Sequence, residues 1–234
     1  MKPENPILLT EKRALDRHFK IDLNVEKAFG SEPLWESLKA GETDSFEKIF
    51  KEFYRPLLNY GIRFNSDREE VKDCIQILFI KIWERKEYLG ESDSIRNYLL
   101  ASLRRLIIKR MNAAKNTFIG LDDNDIEFHA DLSIEAQMIH DQTSLDSINV
   151  LQAAIDKLPN RQKEALFLRF YGDQSFADIA EVMNISTRAV YKLIYKALDS
   201  LNEDLAPYAK RIPLLLALFF SLPFEPVIDL LRES

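Results

Sequence analysis

Cysteine occurs once in the 234 residues, at Cys74, so the chain can close no internal disulfide and build no cysteine-based zinc cluster. Glycine is nearly as scarce: six residues, at 30, 41, 61, 90, 120 and 172, with no two nearer than 11 positions. A phosphate-cradling loop needs closely spaced glycines so that backbone amides can approach the anion, which excludes the GxGxxG and Walker patterns; no GxSxG elbow occurs either. Of the three histidines, His18, His129 and His140, the last two lie in an acidic stretch beside Asp131 and Asp141. Their spacing matches no i, i+3 or i+4 ligand pair, so they read as solvated side chains rather than metal ligands. The longest uncharged apolar run, Ile212 to Phe224, contains Pro213 and Pro223 and is too short for the roughly 20 residues that cross a bilayer. Met1 to Thr10 carries no basic stretch followed by an apolar core, so no secretory start is expected and a cytoplasmic location is.

What is present is the balance of a globular chain: 46% apolar and 30% charged residues, with a formal charge of −6. That charge is unevenly spread. From Ile119 to Val150 there are eight acidic residues and no Lys or Arg, and removing them from the total leaves +2 for the rest. The stretch reads as a linker between two mildly basic lobes, either a solvating tether or a mimic of nucleic acid that threads a basic channel. Apolar spacing is helical nearly throughout, which predicts an all-α protein of two small helical domains joined by an acidic linker. The expected limits are 1–30 for an N-terminal extension, 31–118 and 148–206 for the domains, 119–147 for the linker, and 207–234 for an apolar tail.

In the first domain, Ile95 to Asn112 projects Ile95, Leu99, Leu103, Ile107 and Met111 to one side of a helix. The other side carries Asn97, Arg104, Arg105 and Lys109, with Tyr98 at its border. From Glu91 to Phe118 six basic residues face two acidic ones. A cationic face with an aromatic edge attracts phosphates by counterion release and can stack on an exposed base, although a plain solvated surface has the same pattern. The preceding segment, Val71 to Arg85, is apolar almost all the way round. That excess implies either a docked partner or a central helix buried on several sides, the latter at least as apt for Ile75, Leu78, Phe79 and Ile82.

The second domain holds the sharpest local signal. Ser175 and Asp178 form a capping-box start for the short helix F-A-D-I-A-E-V-M. Asn184 suits the left-handed residue of a tight interhelical turn, and Ser186 caps a second helix, Thr187 to Leu201. Val190, Ile194, Ala197, Leu198 and Leu201 line one side of it; Arg188, Tyr191, Lys192, Tyr195 and Lys196 line the other. This is a helix-turn-helix whose second helix offers donors to a major groove.

Three ordered blocks carry a family resemblance. They are L-K-A-G-E-T-D-S-F-E-K-I-F-K-E-F-Y-R-P-L-L-N-Y-G (Leu38 to Gly61) continuing through D-C-I-Q-I-L-F-I-K-I-W-E-R-K (Asp73 to Lys86); S-I-R-N-Y-L-L-A-S-L-R-R (Ser94 to Arg105); and L-P-N-R-Q-K-E-A-L-F-L-R-F-Y (Leu158 to Tyr171) with the helix-turn-helix after it. Together they resemble the extracytoplasmic-function (ECF) sigma factors of the sigma-70 family, in a version most like those of Bacteroidetes. The resemblance implies a non-enzymatic initiation subunit of bacterial RNA polymerase, with no cofactor, metal or small-molecule substrate.

By the same resemblance, Asp73, Gln76, Phe79 and Trp83 would dock on the β′ clamp helices of core RNA polymerase. Arg96, Asn97, Tyr98, Arg104, Arg105 and Lys109 would open and hold the promoter minus-10 element. Thr187, Arg188, Tyr191, Lys192, Tyr195 and Lys196 would read the minus-35 element, with the second domain on the β flap. An anti-sigma factor or another DNA-targeting protein is a further expected partner. Ile77 departs from the acidic residue usual beside Gln76, and the reading helix is less cationic than many. Two rivals are a free-standing helix-turn-helix regulator and a helical enzyme holding a metal at His129 and His140.

Overall fold

The structure, a computed structural model, describes residues 31–90, 92, 94–114, 126–130 and 142–208. The N-terminal extension, most of the acidic stretch including His140, and the tail from residue 209 lie outside the described residues. Among the described residues there are eight α-helices, two short 3-10 turns and no strand, as the periodicity predicts.

The first lobe comprises α1 (Ser31–Lys39), α2 (Thr43–Gly61), α3 (Arg68–Glu84) and α4 (Ile95–Ala114). Ile49, Phe53, Leu57 and Tyr60 recur on the buried side of α2 at helical spacing. The turn before it needs Gly41, whose φ of +88° strains any side chain. Asp67 starts α3 by accepting hydrogen bonds from the amides of Glu69 and Glu70. At Gly61 the end of α2 approaches α3 so closely that a Cβ would sit 2.5 Å from Val71 Cγ1. The Trp35 indole donates to the carbonyl of Gly90 at 3.0 Å, and its ring lies 5.1 Å from that of Tyr98. Trp35 of α1 thus contacts both Gly90 and the first turn of α4.

The second lobe comprises α5 (Gln142–Asp156), α6 (Asn160–Phe170), α7 (Phe176–Met183) and α8 (Thr187–Leu205). Here local sequence chemistry appears as drawn. Ser175 and Asp178 make the reciprocal capping box, Asn184 holds the left-handed turn at φ 53°, and the Ser186 hydroxyl accepts from the amide of Ala189.

Two sequence expectations change. Phe79 is 1% exposed and packs against Phe46 and Phe50, so it belongs to the core of the first lobe, the buried-helix alternative, and offers no docking surface. The acidic stretch is also more than a tether: Ile126 and Phe128 are buried, with Phe128 wedged among Tyr60, Phe64 and Phe167. Its amide donates to Asn160 Oδ1, and the next amide, of His129, donates to the carbonyl of Arg63. The connection therefore joins both lobes into one continuous apolar cluster.

Phe79→Ala is expected to cost about 3–5 kcal/mol of folding stability, against no more than about 0.5 kcal/mol for its exposed neighbour Ile80→Ala, with urea denaturation as the measurement.

Candidate nucleic-acid interface

The helix-turn-helix presents its expected face. Val190, Ile194, Ala197 and Leu201 of α8 are buried, while Thr187, Arg188, Lys192 and Lys196 are exposed and Tyr191 and Tyr195 half-buried. The tyrosines are held by stacking. The Phe176 and Tyr191 rings are 4.1 Å apart and nearly parallel, Tyr195 continues the stack at 6.2 Å, and the Arg169 guanidinium lies 5.3 Å from the centre of Phe176. Three cations flanking ordered aromatic rings make a surface suited to phosphates and base edges.

The α4 face is divided. Arg105 and Lys109 are exposed, and Arg96 and Tyr98 are half-buried. With Asn112, Glu181 and Asn184, the side chains of Tyr98, Arg105 and Lys109 line a cleft of about 540 Å³ between α4 and α7. Asn97 and Arg104, however, are only 3% and 4% exposed. The expectation that both stand on an open polar face does not hold in this conformation, because the second lobe covers that face. Arg104 forms a two-pronged ion pair with Glu164 of α6, Nε to Oε1 at 2.8 Å and Nη2 to Oε2 at 3.2 Å. The Tyr60 hydroxyl donates to the same Oε1 at 2.5 Å. Asn97 Nδ2 donates to Asp178 Oδ1 at 2.6 Å and to Glu181 Oε2 at 3.0 Å, and Asn97 Oδ1 accepts from Gln174 Nε2 at 3.2 Å.

Electrostatics follow from this burial. Desolvation, reinforced by the Glu164 charge, pushes the Tyr60 phenol well above its ordinary value, so it stays protonated and donates. Removing either member of the Arg104–Glu164 pair while the lobes stay together would strand a buried charge, at a cost of about 3–5 kcal/mol. On α3, Ile80 is 45% exposed, Asp73 is exposed, Gln76 is partly exposed and Trp83 is half-buried under Lys86. Much of the apolar excess of this helix is absorbed by its own lobe. His129 is exposed beside Glu127, and no group of three or more potential ligands that could hold a metal occurs among the described residues.

Sequence reasoning missed Glu164, Tyr60, Gln174 and Phe128. Glu164 had a signal: a lone carboxylate directly preceding the apolar run Ala165 to Leu168 in a short helix.

A helical bundle with a cationic helix, joined to a capped helix-turn-helix with an exposed basic and aromatic face, has the make-up of a DNA-binding protein. The model of sigma-70 region 2 matches residues 49–117, and that of sigma-70 region 4 matches residues 148–201. RNA polymerase sigma-H factor of Pseudomonas aeruginosa is 26% identical over 192 residues, 76% of this chain and 95% of the relative. ECF RNA polymerase sigma factor SigW of Bacillus subtilis is 22% identical over 175 residues, 72% of this chain and 92% of the relative. Among solved structures, CnrH in complex with the cytosolic domain of CnrY has a similar fold, with a TM-score of 0.52 at 15% identity over 76% of this chain and 99% of that one. The chain belongs to the sigma-70 family and is an ECF RNA polymerase sigma factor: it directs core RNA polymerase to promoter DNA and to transcription initiation. No helix among the described residues is long and apolar enough to cross a membrane.

The Asp178 carboxyl gives a pH test. Burial raises its pKa, but hydrogen bonds from Ser175 and Asn97, with the nearby Arg96 charge, outweigh burial and hold it below its ordinary value of 3.8. A depressed folded-state pKa contributes stability that is present above 3.8 and is lost as pH falls through the depressed value. The stability difference between wild type and Asp178→Asn should therefore be constant at neutral pH and shrink on acidification below 3.8, as followed by thermal melts across pH.

Proposed function

We propose that this sigma factor divides the promoter between its lobes. Arg188, near the N-terminus of α8, with Thr187 and Tyr191, reads base edges of the minus-35 element, while Lys192, Tyr195 and Lys196 contact its backbone. Arg96, Tyr98, Arg105 and Lys109 of α4, joined by Asn97 and Arg104 once uncovered, hold the opened minus-10 element. Asp73, Gln76 and Trp83 of α3 meet the β′ clamp helices, with exposed Ile80 added to them in place of Phe79. The observation that carries the reading is α8: one side buried, the other exposing Arg188, Lys192 and Lys196 on a capped helix-turn-helix.

The domains are taken as 31–118 and 148–206, the setting as the cytoplasm, and the group as the Bacteroidetes type on the three sequence blocks. The role is that of a binding subunit without catalysis of its own. CnrH is solved with the cytosolic domain of CnrY; a protein that holds this chain inactive, an anti-sigma factor, belongs to the same reading.

The test is in vitro transcription with purified core polymerase, with and without the chain, on a genomic template library. Promoter-directed initiation that requires the chain is expected, and its absence would overturn the reading. Arg188→Ala should cost about 1–3 kcal/mol at the promoter and relax selectivity, whereas Lys192→Ala should weaken binding uniformly and lower the salt slope by about 1. With three cations on the reading face, the isolated chain should bind duplex weakly, with a log–log salt slope near roughly −3 in a mobility-shift titration.

A further inference from the structure

The outward side of α8 is not built from α8 alone. Phe176 comes from α7, and its ring lies flat on that of Tyr191, 4.1 Å away at 8°. Tyr195, one helical turn further on, continues the stack at 6.2 Å and 12°. Arg169 of α6 closes the row: its guanidinium lies 5.3 Å from the centre of the Phe176 ring, and its Nη1 donates to the carbonyl of Gln174 at 2.8 Å. The turn that brings Phe176 to this place is tight. The Gln174 amide donates to the Leu168 carbonyl at 3.2 Å, and a Cβ at Gly172 would sit 2.4 Å from the same oxygen. Three helices thus contribute to one row of rings, and stacking leaves the half-buried Tyr191 ring to meet a ligand by its rim.

We propose that Tyr191 reads a thymine of the minus-35 element and that Phe176, steadied by Arg169, is the residue that positions it; the proposal rests on the promoter role given to α8 above. A tyrosine side chain turns about two angles, and a flat stack against a neighbouring ring holds both. The rim so presented consists of aromatic C–H groups and one hydroxyl. Of the four bases only thymine places an apolar group, its C5-methyl, in the major groove, so a hydrocarbon rim favours thymine there. The flanking Arg188 and Lys192 are donors, suited to guanine and to phosphate, and add no apolar contact. Tyr191 therefore supplies a discrimination that its cationic neighbours lack, and Phe176 acts through Tyr191 rather than on the base.

The experiment uses holoenzyme assembled from core polymerase and the full chain, on a promoter recovered from the genomic library. Each thymine of the minus-35 element is replaced in turn by uracil, which removes the methyl group and keeps the base pair. At limiting holoenzyme, replacement at one or two positions should lower initiation about three- to fourfold, the worth of one buried methyl group. Tyr191→Ala should lower initiation on the thymine template and abolish the difference between thymine and uracil. Phe176→Leu, which keeps apolar bulk without a ring, should remove most of that difference, and Phe176→Tyr should retain it. A merely structural role for Phe176 would instead lower initiation on both templates alike.

Uracil tolerated at every minus-35 position, or an element with no A·T pair, overturns the thymine reading. A Phe176→Leu variant that keeps the wild-type difference overturns the positioning role. The stack itself is checked without DNA: in the full chain the Tyr191 ring protons should be shifted upfield by the Phe176 ring current and lose that shift in Phe176→Leu. An unshifted Tyr191 overturns the stack. If Arg188→Ala and Lys192→Ala leave initiation unchanged, the promoter role of α8 fails and takes the thymine reading with it, while the ring-proton shifts still decide whether Phe176 holds Tyr191.

Discussion

A buried guanidinium needs a counterion, and in this chain the counterion of Arg104 comes from another lobe, 60 residues away in sequence. That single requirement organises the arrangement of the two lobes. The planar fork of Arg104 accepts a carboxylate in one orientation, and the protonated Tyr60 hydroxyl occupies one of its oxygens from the side of α2. Apolar contacts among Tyr60, Phe64, Phe128 and Phe167 would tolerate sliding or rotation. The ion pair and the Asn97 hydrogen bonds do not, because any displacement leaves a polar group dry and unpartnered. Register between the lobes is thus set by polar chemistry, and adhesion by apolar area.

The consequence falls on α4, a helix with two claims on it. Its apolar side, Leu99, Leu103 and Ile107, closes the first lobe. Its polar side carries Arg96, Arg104, Arg105 and Lys109, and that charge attracts any acidic surface tethered nearby. Glu164, Asp178 and Glu181 are such a surface. Two of the polar residues of α4, Asn97 and Arg104, therefore meet the second lobe rather than solvent.

How much of this was legible in the sequence depended on the range of the interaction. The helix-turn-helix could be read residue by residue, since Ser175, Asp178 and Ser186 act on amides three positions away and Asn184 needs only its own left-handed backbone. The family blocks were legible for the same reason: their apolar spacing is local. The fate of Asn97 and Arg104 was not. Periodicity tells which side of a helix is polar and is silent on whether another lobe covers it. Phe128 was hidden differently, as one aromatic ring in an acidic run whose charge spoke for a solvated tether. Phe79 lay between: the pattern of α3 was apolar on too many sides to rank its residues, and packing against Phe46 and Phe50 decided it.

The reading helix carries the same logic to the other end of the chain. Under the proposed promoter role, Arg188, Lys192 and Lys196 would give α8 little affinity from counterion release and leave part of the task to its aromatic ladder. Arg169, Phe176, Tyr191 and Tyr195 are stacked before DNA arrives, so little side-chain freedom remains to be lost on binding. A preorganised but weakly charged reader discriminates among sequences better than it holds on to any of them. On the other lobe Asn97 and Arg104 are buried beneath α6 and α7, which leaves α8 as the more open of the two basic faces. Under the promoter roles proposed above, placing both modules on one duplex would turn two weak contacts into a single concerted one.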